Sequence, residues 1–334
     1  MEWKKKLLIW LPLSMVVAFA TAILTLKLGT VHISFMSLFD ILLGNKRRTP
    51  LSTVILEIRL PRVLLGMTTG WGLAVVGATL QALLKNPLAD PYILGISSGA
   101  AFGATLVFAL QQLFNVFLIG YVSPVAFLFA LFAGLLTYLI ANQGGKLPVG
   151  QVILAGVIVS MLFGAATTLT IVFGWRGTTN VMFWLFGSLS NASRGTFEIT
   201  FIPVIIGSIF LFFFSSELNA MALGEEEAMH LGVETKRIKI VLLITSSLMT
   251  AFIVSNTGII GFVGLVIPHV ARFIVGADNR LVLPLSAVIG AIFLPVCDSI
   301  ARTVASPAEV PIGVVTAFIG TPLFIYLMKK GKRV

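Results

Sequence analysis

The chain has 334 residues, of which 57% are hydrophobic and 11% are charged, and its mean hydropathy is +1.03. Soluble domains carry roughly 25% charged residues, so this composition excludes an ordinary soluble domain and indicates a membrane protein. The formal net charge is +10. With one cysteine, Cys297, the chain cannot form an internal disulfide, and we expect this residue to act as a small buried hydrophobe.

Apolar runs divide the chain into candidate spans, because a helix that crosses a bilayer needs about 20 mostly apolar residues. Seven runs meet this length, at 7–26, 60–84, 92–112, 118–141, 149–173, 258–277 and 310–328. Weaker candidates lie at 198–214, 240–255 and 281–296. The sequence therefore predicts an all-α polytopic membrane protein with about ten transmembrane helices, organised as a single transmembrane domain over 1–334.

Basic residues flank both ends of this array. Lys4, Lys5 and Lys6 precede the first span, and Lys329, Lys330, Lys332 and Arg333 follow the last. The positive-inside rule places both termini in the cytoplasm, which requires an even number of crossings. The start also resembles a signal peptide with an Ala-x-Ala triplet at 18–20, but the apolar run continues to Leu26, so we expect an uncleaved first span.

Small residues recur at every fourth position on three predicted helices, in the ridges Gly66/Gly70/Ala74/Ala78/Ala82, Gly95/Gly99/Gly103 and Gly156/Ser160/Gly164/Thr168. Such ridges allow helix backbones to approach closely in lipid. Packing is a sufficient explanation for the first two. The third ridge adds hydroxyl groups, with Thr167 beside it, so lining of a solvated path is an alternative to packing.

Three polar connections interrupt the spans on the predicted cytoplasmic side. Residues 85–91 form a proline-rich turn, and residues 141–148 contain a glycine pair that predicts a flexible turn. The third connection, 215–239, predicts two short amphipathic helices broken at Gly224. Glutamates 225–227 suit the first turn of the second helix, and Gly232 is suited to cap its end. A protein docking surface or a solvated connector would explain this segment.

Four long segments together resemble the FecCD family of permease subunits from type II ABC importers, which take up iron siderophores, haem and cobalamin. The first is RLPRVLLGMTTGWGLAVVGATLQALLKNPLADPYILGISSGAAFG at 59–103, and the others are LGEEEAMHLGV at 223–233, GFVGLVIPHVARF at 261–273 and EVPIGVVTAFIGTPLFIYLM at 309–328. They are colinear from Arg59 onward. The first span and the 172–196 connection contribute little to the resemblance.

The resemblance implies the type II ABC importer permease fold with ten helices, a second permease subunit that is identical or paralogous, two ATP-binding-cassette ATPase subunits and an extracytoplasmic substrate-binding protein. It places the chain in a bacterial or archaeal cell membrane, in contact with lipid and with no nucleic-acid partner. Neither Gly145-Lys146 nor Gly331-Lys332 is followed by Ser or Thr, so no P-loop is present. We therefore expect ATP and Mg to bind the partner ATPase, and no cofactor or metal to bind this chain.

Site residues follow from the same resemblance. Those expected to receive glutamates of the binding protein are Arg59, Arg62 and Arg302. Those expected at the cytoplasmic gate are Asn86, Leu88, Asn142, Gly144 and Gly145. Those expected to couple to the ATPase are Leu218, Met221, Leu223, Gly224, Glu225, Glu226, Glu227, Met229, Leu231 and Gly232. Those expected to line the path are Ser160, Gly164, Thr167 and Thr168. No catalytic residue is expected. An i to i+4 pair with Asp298 is a local alternative for Arg302.

Two other classes of protein explain the sequence less well. An intramembrane enzyme needs paired carboxylates or a nucleophile and base within its helices, whereas the histidines His32, His230 and His269 are scattered and most acidic residues fall in connections. An ion-driven secondary transporter needs ionisable groups near the bilayer midplane, and it would leave the 215–239 segment without a purpose. The sequence therefore predicts an importer permease for an iron chelate, most simply a siderophore complex, with haem or cobalamin as alternatives.

Overall fold

The structure is a computed structural model that describes residues 2–29, 33–45, 49–144, 147–174 and 178–331. Its helices, in chain order, are α1 (Glu2–Lys27), α2 (Phe35–Leu42), α3 (Pro50–Thr53), α4 (Leu60–Leu83), α5 (Ile96–Phe114), α6 (Val122–Ala141), α7 (Val149–Phe173), α8 (Thr178–Leu185), α9 (Arg194–Phe213), α10 (Ser215–Leu223), α11 (Glu225–His230), α12 (Thr235–Thr257), α13 (Val263–Val275), α14 (Asn279–Thr303) and α15 (Ile312–Gly331). The all-α prediction is confirmed.

Nine helical segments in the described part of the chain are long and apolar enough to cross a membrane. The weaker candidates are full-length helices, namely α9, α12 and α14, because polar residues at their ends continue the helix beyond the apolar run. The predicted span at 258–277 is shorter than expected. Its helix, α13, has 13 residues, or about 20 Å at 1.5 Å per residue, because 258–262 are not helical.

The second span begins earlier than its apolar run. α3, a π-helical turn (Val54–Arg59) and α4 form one continuous segment, Pro50–Leu83. This segment starts with a capping box between Thr49 and Ser52, and Pro50 occupies its first helical position. The π-helical turn ends at Arg59, so the first predicted docking arginine lies where the backbone departs from α-helical geometry.

The centre of the bundle is the packing of α4 against α14. A Cβ added to Gly70 would lie 2.0 Å from the Gly290 carbonyl oxygen, and a Cβ on Gly290 would lie 2.2 Å from that of Gly70. The two backbones therefore touch at a point where only glycine fits on both helices. The same close approach recurs between α5 and α6, where a Cβ on Gly99 would lie 2.4 Å from the Phe129 carbonyl oxygen. These contacts confirm packing as the role of the first two ridges.

The bundle has two distinct ends. One end carries α10 and α11 together with the 84–95 connection and residues 141–144 and 147–148, and we call it the α10–α11 end. At the opposite end the last residues of α1 meet the start of α4, the end of α14 and the 304–311 connection. We call this the arginine end, since Arg59, Arg62 and Arg302 lie there.

Candidate coupling, gate and docking sites

The segment 215–239 folds as predicted, with α10 and α11 meeting at Gly224. Leu218 and Met221 of α10 are buried and anchor the helix to the bundle. Three other apolar side chains of the segment point away from it. Leu223, Met229 and Leu231 are 72%, 54% and 66% exposed, and this apolar exposure next to acidic groups leaves a surface that a protein partner can cover.

The end of α11 has the geometry of a Schellman motif. The Gly232 N–H donates to the Met229 carbonyl at 2.9 Å, and the Val233 N–H donates to the Ala228 carbonyl at 3.0 Å. Gly232 has φ +84°, which favours glycine. The predicted C-terminal cap is therefore confirmed, and it fixes the direction in which the chain leaves α11 toward α12.

The three glutamates of α11 have different surroundings. Glu225 forms a salt bridge with Lys239 of α12. Glu226 and Glu227 are exposed. The Glu227 carboxylate lies against Gly224, where an added Cβ would come within 1.5 Å of Glu227 Oε2. A Cβ at this position would therefore have to displace the exposed end of the Glu227 side chain, and Glu226 is the glutamate most open to a partner.

Asn219 links α10 to the start of α14, and the sequence reading missed it. Its amide nitrogen donates to Asp278 Oδ1 at 2.7 Å, and its amide oxygen accepts from the Asn279 N–H at 2.8 Å and from Asn279 Nδ2 at 2.9 Å. Asp278 is also the N-cap of α14. The sequence indicated Asp278 as a possible N-cap, because it precedes a helical run. No sequence pattern pointed to Asn219 as its partner 59 residues earlier.

The first predicted gate turn is held by its own Asn86 side chain and by a contact from α13. Asn86 Oδ1 accepts from the Leu88 N–H at 2.9 Å, and Leu88 is 56% exposed. His269 Nε2 lies 2.8 Å from the Pro87 carbonyl oxygen. Arg272, one turn further along α13, donates to Gln81 Oε1. His269 therefore attaches α13 to this turn, and Arg272 attaches α13 to the end of α4.

Asp90 and Tyr92 connect the same turn to the segment before α13. Asp90 Oδ1 accepts from the Tyr92 N–H at 2.8 Å. Burial raises the pKa of the Asp90 carboxyl from 3.8 to about 6, although backbone N–H donors act in the opposite direction. The Tyr92 hydroxyl donates to the Ile260 carbonyl at 2.8 Å and accepts from the Ile260 N–H at 3.0 Å. Burial also raises the pKa of Tyr92.

The second predicted gate turn follows α6. The Asn142 N–H donates to the Tyr138 carbonyl at 3.0 Å and ends the helix. Gly144 has φ +57°, and an added Cβ would meet nothing within 4 Å, so backbone conformation rather than space favours glycine here. Gly145 lies outside the described residues. Leu147 is buried, and its carbonyl accepts from Lys239 Nζ at 3.3 Å.

The four predicted path residues of α7 do not share one surface. Gly164 and Thr168 are exposed and Ser160 is partly exposed, whereas Thr167 is buried and donates to the Phe163 carbonyl at 2.7 Å. A Cβ on Gly164 would meet nothing within 4 Å. Thr167 therefore departs from the prediction because it lies about 100° around the helix from Thr168 and faces the bundle.

At the arginine end, the three arginines are buried, which differs from the outward-facing positions that the resemblance implied. Arg59 Nη1 donates to the Leu26 and Lys27 carbonyls at 2.8 and 3.0 Å, so it caps the end of α1. Arg302 Nη2 lies 3.4 Å from the Thr25 carbonyl oxygen of the same helix end. Helix C-terminal carbonyls carry partial negative charge, which favours cations at this position.

Arg62 and Arg302 share one buried carboxylate. Arg62 Nη2 is 2.9 Å from Asp298 Oδ1, and Arg302 Nε is 3.0 Å from Asp298 Oδ2. The second contact is the i to i+4 pair that the sequence offered as the local alternative. Arg62 also binds Glu309 through both terminal nitrogens, at 2.9 and 3.0 Å. The Glu309 side chain is 37% exposed, so Arg62 is the arginine that an outside carboxylate can approach by replacing Glu309.

Comparison with known proteins supports one family. Residues 16–330 match the model of the FecCD transport family. The cobalamin import system permease protein BtuC of Halobacterium salinarum is 43% identical over 83% of this chain and 73% of its own length. The Fe(3+)-citrate import system permease protein YfmD of Bacillus subtilis is 36% identical over 92% of this chain and 91% of its own.

A solved structure described as an inward-facing conformation of a metal-chelate type ABC transporter has a TM-score of 0.84 and 32% identity, and the match covers 96% of this chain and 98% of that one. Such permeases are not enzymes, since a partner ATPase hydrolyses the ATP. The multi-pass bundle, the paired helices α10 and α11 and these matches lead to one conclusion: the chain belongs to the FecCD transport family and is the permease of an ABC importer.

Proposed function

We propose that this permease imports a ferric chelate, with an iron–siderophore complex as its cargo. The supporting observation is the exposed face of α7, where Gly164 and Thr168 lie among apolar side chains. Small and hydroxyl-bearing residues offer loose contacts to a bulky complex whose metal is already held by its own chelator. The names of the YfmD relative and of the metal-chelate transporter agree with this cargo.

Cobalamin is the second candidate, because the permease BtuC of Halobacterium salinarum is 43% identical to this chain. The cobalt of cobalamin is likewise already held by its own ligands, so the exposed face of α7 is compatible with either cargo. The two proposals therefore differ in what a binding protein would deliver rather than in any group on this path.

In the proposed arrangement, the α10–α11 end lies in the cytoplasm and rests on ATPase subunits, and the arginine end meets a substrate-binding protein. A second permease copy or paralogue covers the exposed face of α7 and completes the path. ATP binding displaces α10 and α11, and the bundle opens to one side of the membrane at a time. The 84–95 and 141–148 connections close the path at the cytoplasmic end.

The test is uptake into proteoliposomes that contain the permease, its ATPase and its binding protein. Radiolabelled ferric siderophore, ferric citrate, hemin and cyanocobalamin are supplied in parallel. We expect uptake of the ferric siderophore with ATP and none with a non-hydrolysable analogue. Uptake of cyanocobalamin without uptake of any ferric complex would overturn the cargo proposal. Uptake that needs an ion gradient and ignores ATP would contradict the assignment to ABC importers as well.

A further inference from the structure

A crevice of about 520 Å³ opens on the side of the bundle between α1 and α9. Because α1 packs on α14 and α9 packs on α4, α4 and α14 form the floor of this crevice, and α1 and α9 form its walls. Leu64 and Met67 lie on the floor, and Phe19 and Phe201 lie on the walls. Phe19 is 68% exposed and Phe201 is 40% exposed, so the crevice is open to the medium beside the bundle.

The crevice has the length of one leaflet of a bilayer. Its lining residues run from Leu60 to Trp71 on α4, and from Leu26 back to Met15 on α1. Each stretch rises about 17 Å at 1.5 Å per residue, and the hydrocarbon core of a bilayer is about 30 Å thick, or about 15 Å per leaflet. Leu60 and Leu26 lie at the arginine end. The crevice therefore extends from the arginine end to about the middle of the membrane.

The walls of the crevice favour hydrocarbon over water. Among the described residues that line it, only Thr68 and Trp71 carry a side-chain nitrogen or oxygen. The Thr68 hydroxyl donates to the Leu64 carbonyl at 2.9 Å, and Trp71 Nε1 donates to Ser208 Oγ at 2.9 Å. A water in a protein cavity needs about 2–4 polar partners, and neither of these side chains has a donor left to offer. Lipid is the medium that can fill such a space from the side.

The cations at the arginine end indicate which part of a lipid lies there. Lys27 directly follows Leu26 as the last residue of α1, and its ammonium group lies 4.0 Å from the centre of the Phe35 ring. Arg194, the first residue of α9, already forms a salt bridge with Glu198. Lys27 is therefore the cation of the two walls that a phosphate group at the membrane surface can approach.

We propose that the crevice binds one acyl chain of a phospholipid from the leaflet at the arginine end, with the lipid phosphate against Lys27. The acyl chain fills the space between α1 and α9 as far as Trp71. It holds α1 to the bundle, since few side chains of this helix are otherwise buried. The C-terminal carbonyls of α1 accept from Arg59 and lie beside Arg302, so the lipid also stabilises the arginine end.

The experiment locates the lipid in the complete complex with its ATPase subunits, reconstituted in phosphatidylcholine nanodiscs. A minor fraction of the lipid is phosphatidylglycerol with a photoreactive diazirine in the middle of one acyl chain. After illumination, the crosslinked residues are identified by peptide mass spectrometry. We expect crosslinks at Leu64 and Met67 on the floor of the crevice, as strong as those at Val17, which is exposed on α1 and does not line the crevice.

Two alanines of α1 provide a matched pair of variants. Ala22 lines the crevice, whereas Ala20 is exposed and does not line it. Ala22→Phe should occupy the crevice and reduce crosslinking to α4 about fivefold or more, and Ala20→Phe should leave it unchanged. Lys27→Gln should reduce it about fivefold, because one lysine at the membrane surface attracts an anionic lipid to about this extent. Lys27→Arg should keep it.

Crosslinks on the exposed residues of α1 and α9 without any on α4 would overturn the inference, because they would report the surrounding lipid only. Equal losses in Ala22→Phe and Ala20→Phe would refute it as well. Unchanged crosslinking in Lys27→Gln would contradict the placement of the phosphate. If Ala22→Phe fails to assemble, the crosslinks of the unsubstituted protein decide the question, since their position on α4 requires no variant. None of these outcomes depends on the cargo.

Discussion

Arg62 Nη2 lies 2.9 Å from Asp298 Oδ1, and this buried pair joins α4 to α14 across 236 residues of sequence. Arg302 binds the other oxygen of the same carboxylate at 3.0 Å. Asp298 therefore neutralises two arginines in a region where water is scarce, and the arginine end depends on it more than on any of the exposed ion pairs described in the structure.

Replacing Asp298 should show this dependence. In Asp298→Asn, two buried cations lose their shared counterion, and breaking a buried pair by removing one partner costs about 3–5 kcal/mol. We expect a clearly lower Tm of the detergent-solubilised complex. The matched control is Glu198→Gln, which removes the exposed partner of Arg194 and should leave the Tm unchanged. Equal Tm values for the two variants would show that Asp298 does not stabilise this end.

The proposed docking role of the arginines predicts a gain in affinity for the binding protein rather than a loss of stability. Replacing Arg59 or Arg62 by Glu would place a carboxylate beside helix carbonyls or Asp298, and we expect such variants to fold poorly. Glu309→Gln is more informative, because it weakens the internal competitor for Arg62 at a half-exposed position. If a carboxylate of the binding protein takes the place of Glu309, the variant should bind it about fivefold more tightly, or by about 1 kcal/mol.

Surface-immobilised binding protein and solubilised permease complex are sufficient for this measurement, with Glu198→Gln as the control. Affinity that is unchanged or weaker in Glu309→Gln would contradict docking through Arg62. The arginines would then serve to hold α1 and α14 to α4, as their contacts in this structure show.

The helix packing could be predicted from sequence, whereas the polar links could not. The four-residue spacing of Gly66 and Gly70 predicted that another helix backbone packs closely against α4, because small residues at this spacing allow close helix packing in lipid. Lys239 carried no comparable signal. A lysine near the start of a span satisfies the positive-inside rule, so its sequence context gave no reason to expect a carbonyl partner 92 residues away.

The π-helical turn before α4 and the short α13 were missed for a related reason. Hydropathy reports whether a segment can lie in lipid, but it does not report hydrogen-bond register. Residues 258–262 are apolar, so hydropathy included them in the predicted span although they are not helical. Their backbone is held by contacts from elsewhere, such as the bond from the Tyr92 hydroxyl to Ile260.

The contact between Gly70 and Gly290 predicts a strong steric effect. In Gly70→Ala, the new methyl group would lie 2.0 Å from the Gly290 carbonyl oxygen, so α4 and α14 must separate. Overpacking typically costs about 1–3 kcal/mol, and we expect a lower Tm and poorer recovery of the complex. Gly164→Ala is the matched control, because its methyl group would meet nothing within 4 Å. Similar losses in both variants would contradict the packing argument.

The pKa of Asp90 predicts a dependence of stability on pH. The pKa of its carboxyl in the folded protein, about 6, exceeds its ordinary value of 3.8. The stabilisation from the protonated form is therefore fully present below about pH 4 and is lost as the pH rises through 6. A difference of this size corresponds to about 3 kcal/mol in full, and we expect about 1–2 kcal/mol because residue Asp90 as a whole is only partly buried.

Urea unfolding of the solubilised protein at pH 5 and pH 7.5 would measure this dependence. Asp90→Asn should reduce the difference, since an amide oxygen can still accept from the Tyr92 N–H and does not ionise. Glu226→Gln, at an exposed position, should leave the pH dependence as it is. An undiminished pH dependence in Asp90→Asn would assign the titration to another group.

Thr167 and Thr168 are neighbours with opposite surroundings, and they test where the path lies. Thr168 is exposed on the face of α7 that carries Gly164, whereas Thr167 is buried. In a Cys297→Ser background, a thiol at either position reports the local medium, since charged methanethiosulfonates react in water and hardly at all in lipid. We expect Thr168→Cys to react at least tenfold faster than Thr167→Cys in the assembled complex, and trapped ATP to change the faster rate.

A second exposed apolar position serves as the control, namely Ile206 of α9, which is 63% exposed. If α9 borders lipid, Ile206→Cys should react as slowly as Thr167→Cys despite its exposure. Should Thr168→Cys react no faster than Ile206→Cys, the exposed face of α7 would border lipid, and the path would have to lie elsewhere in the bundle.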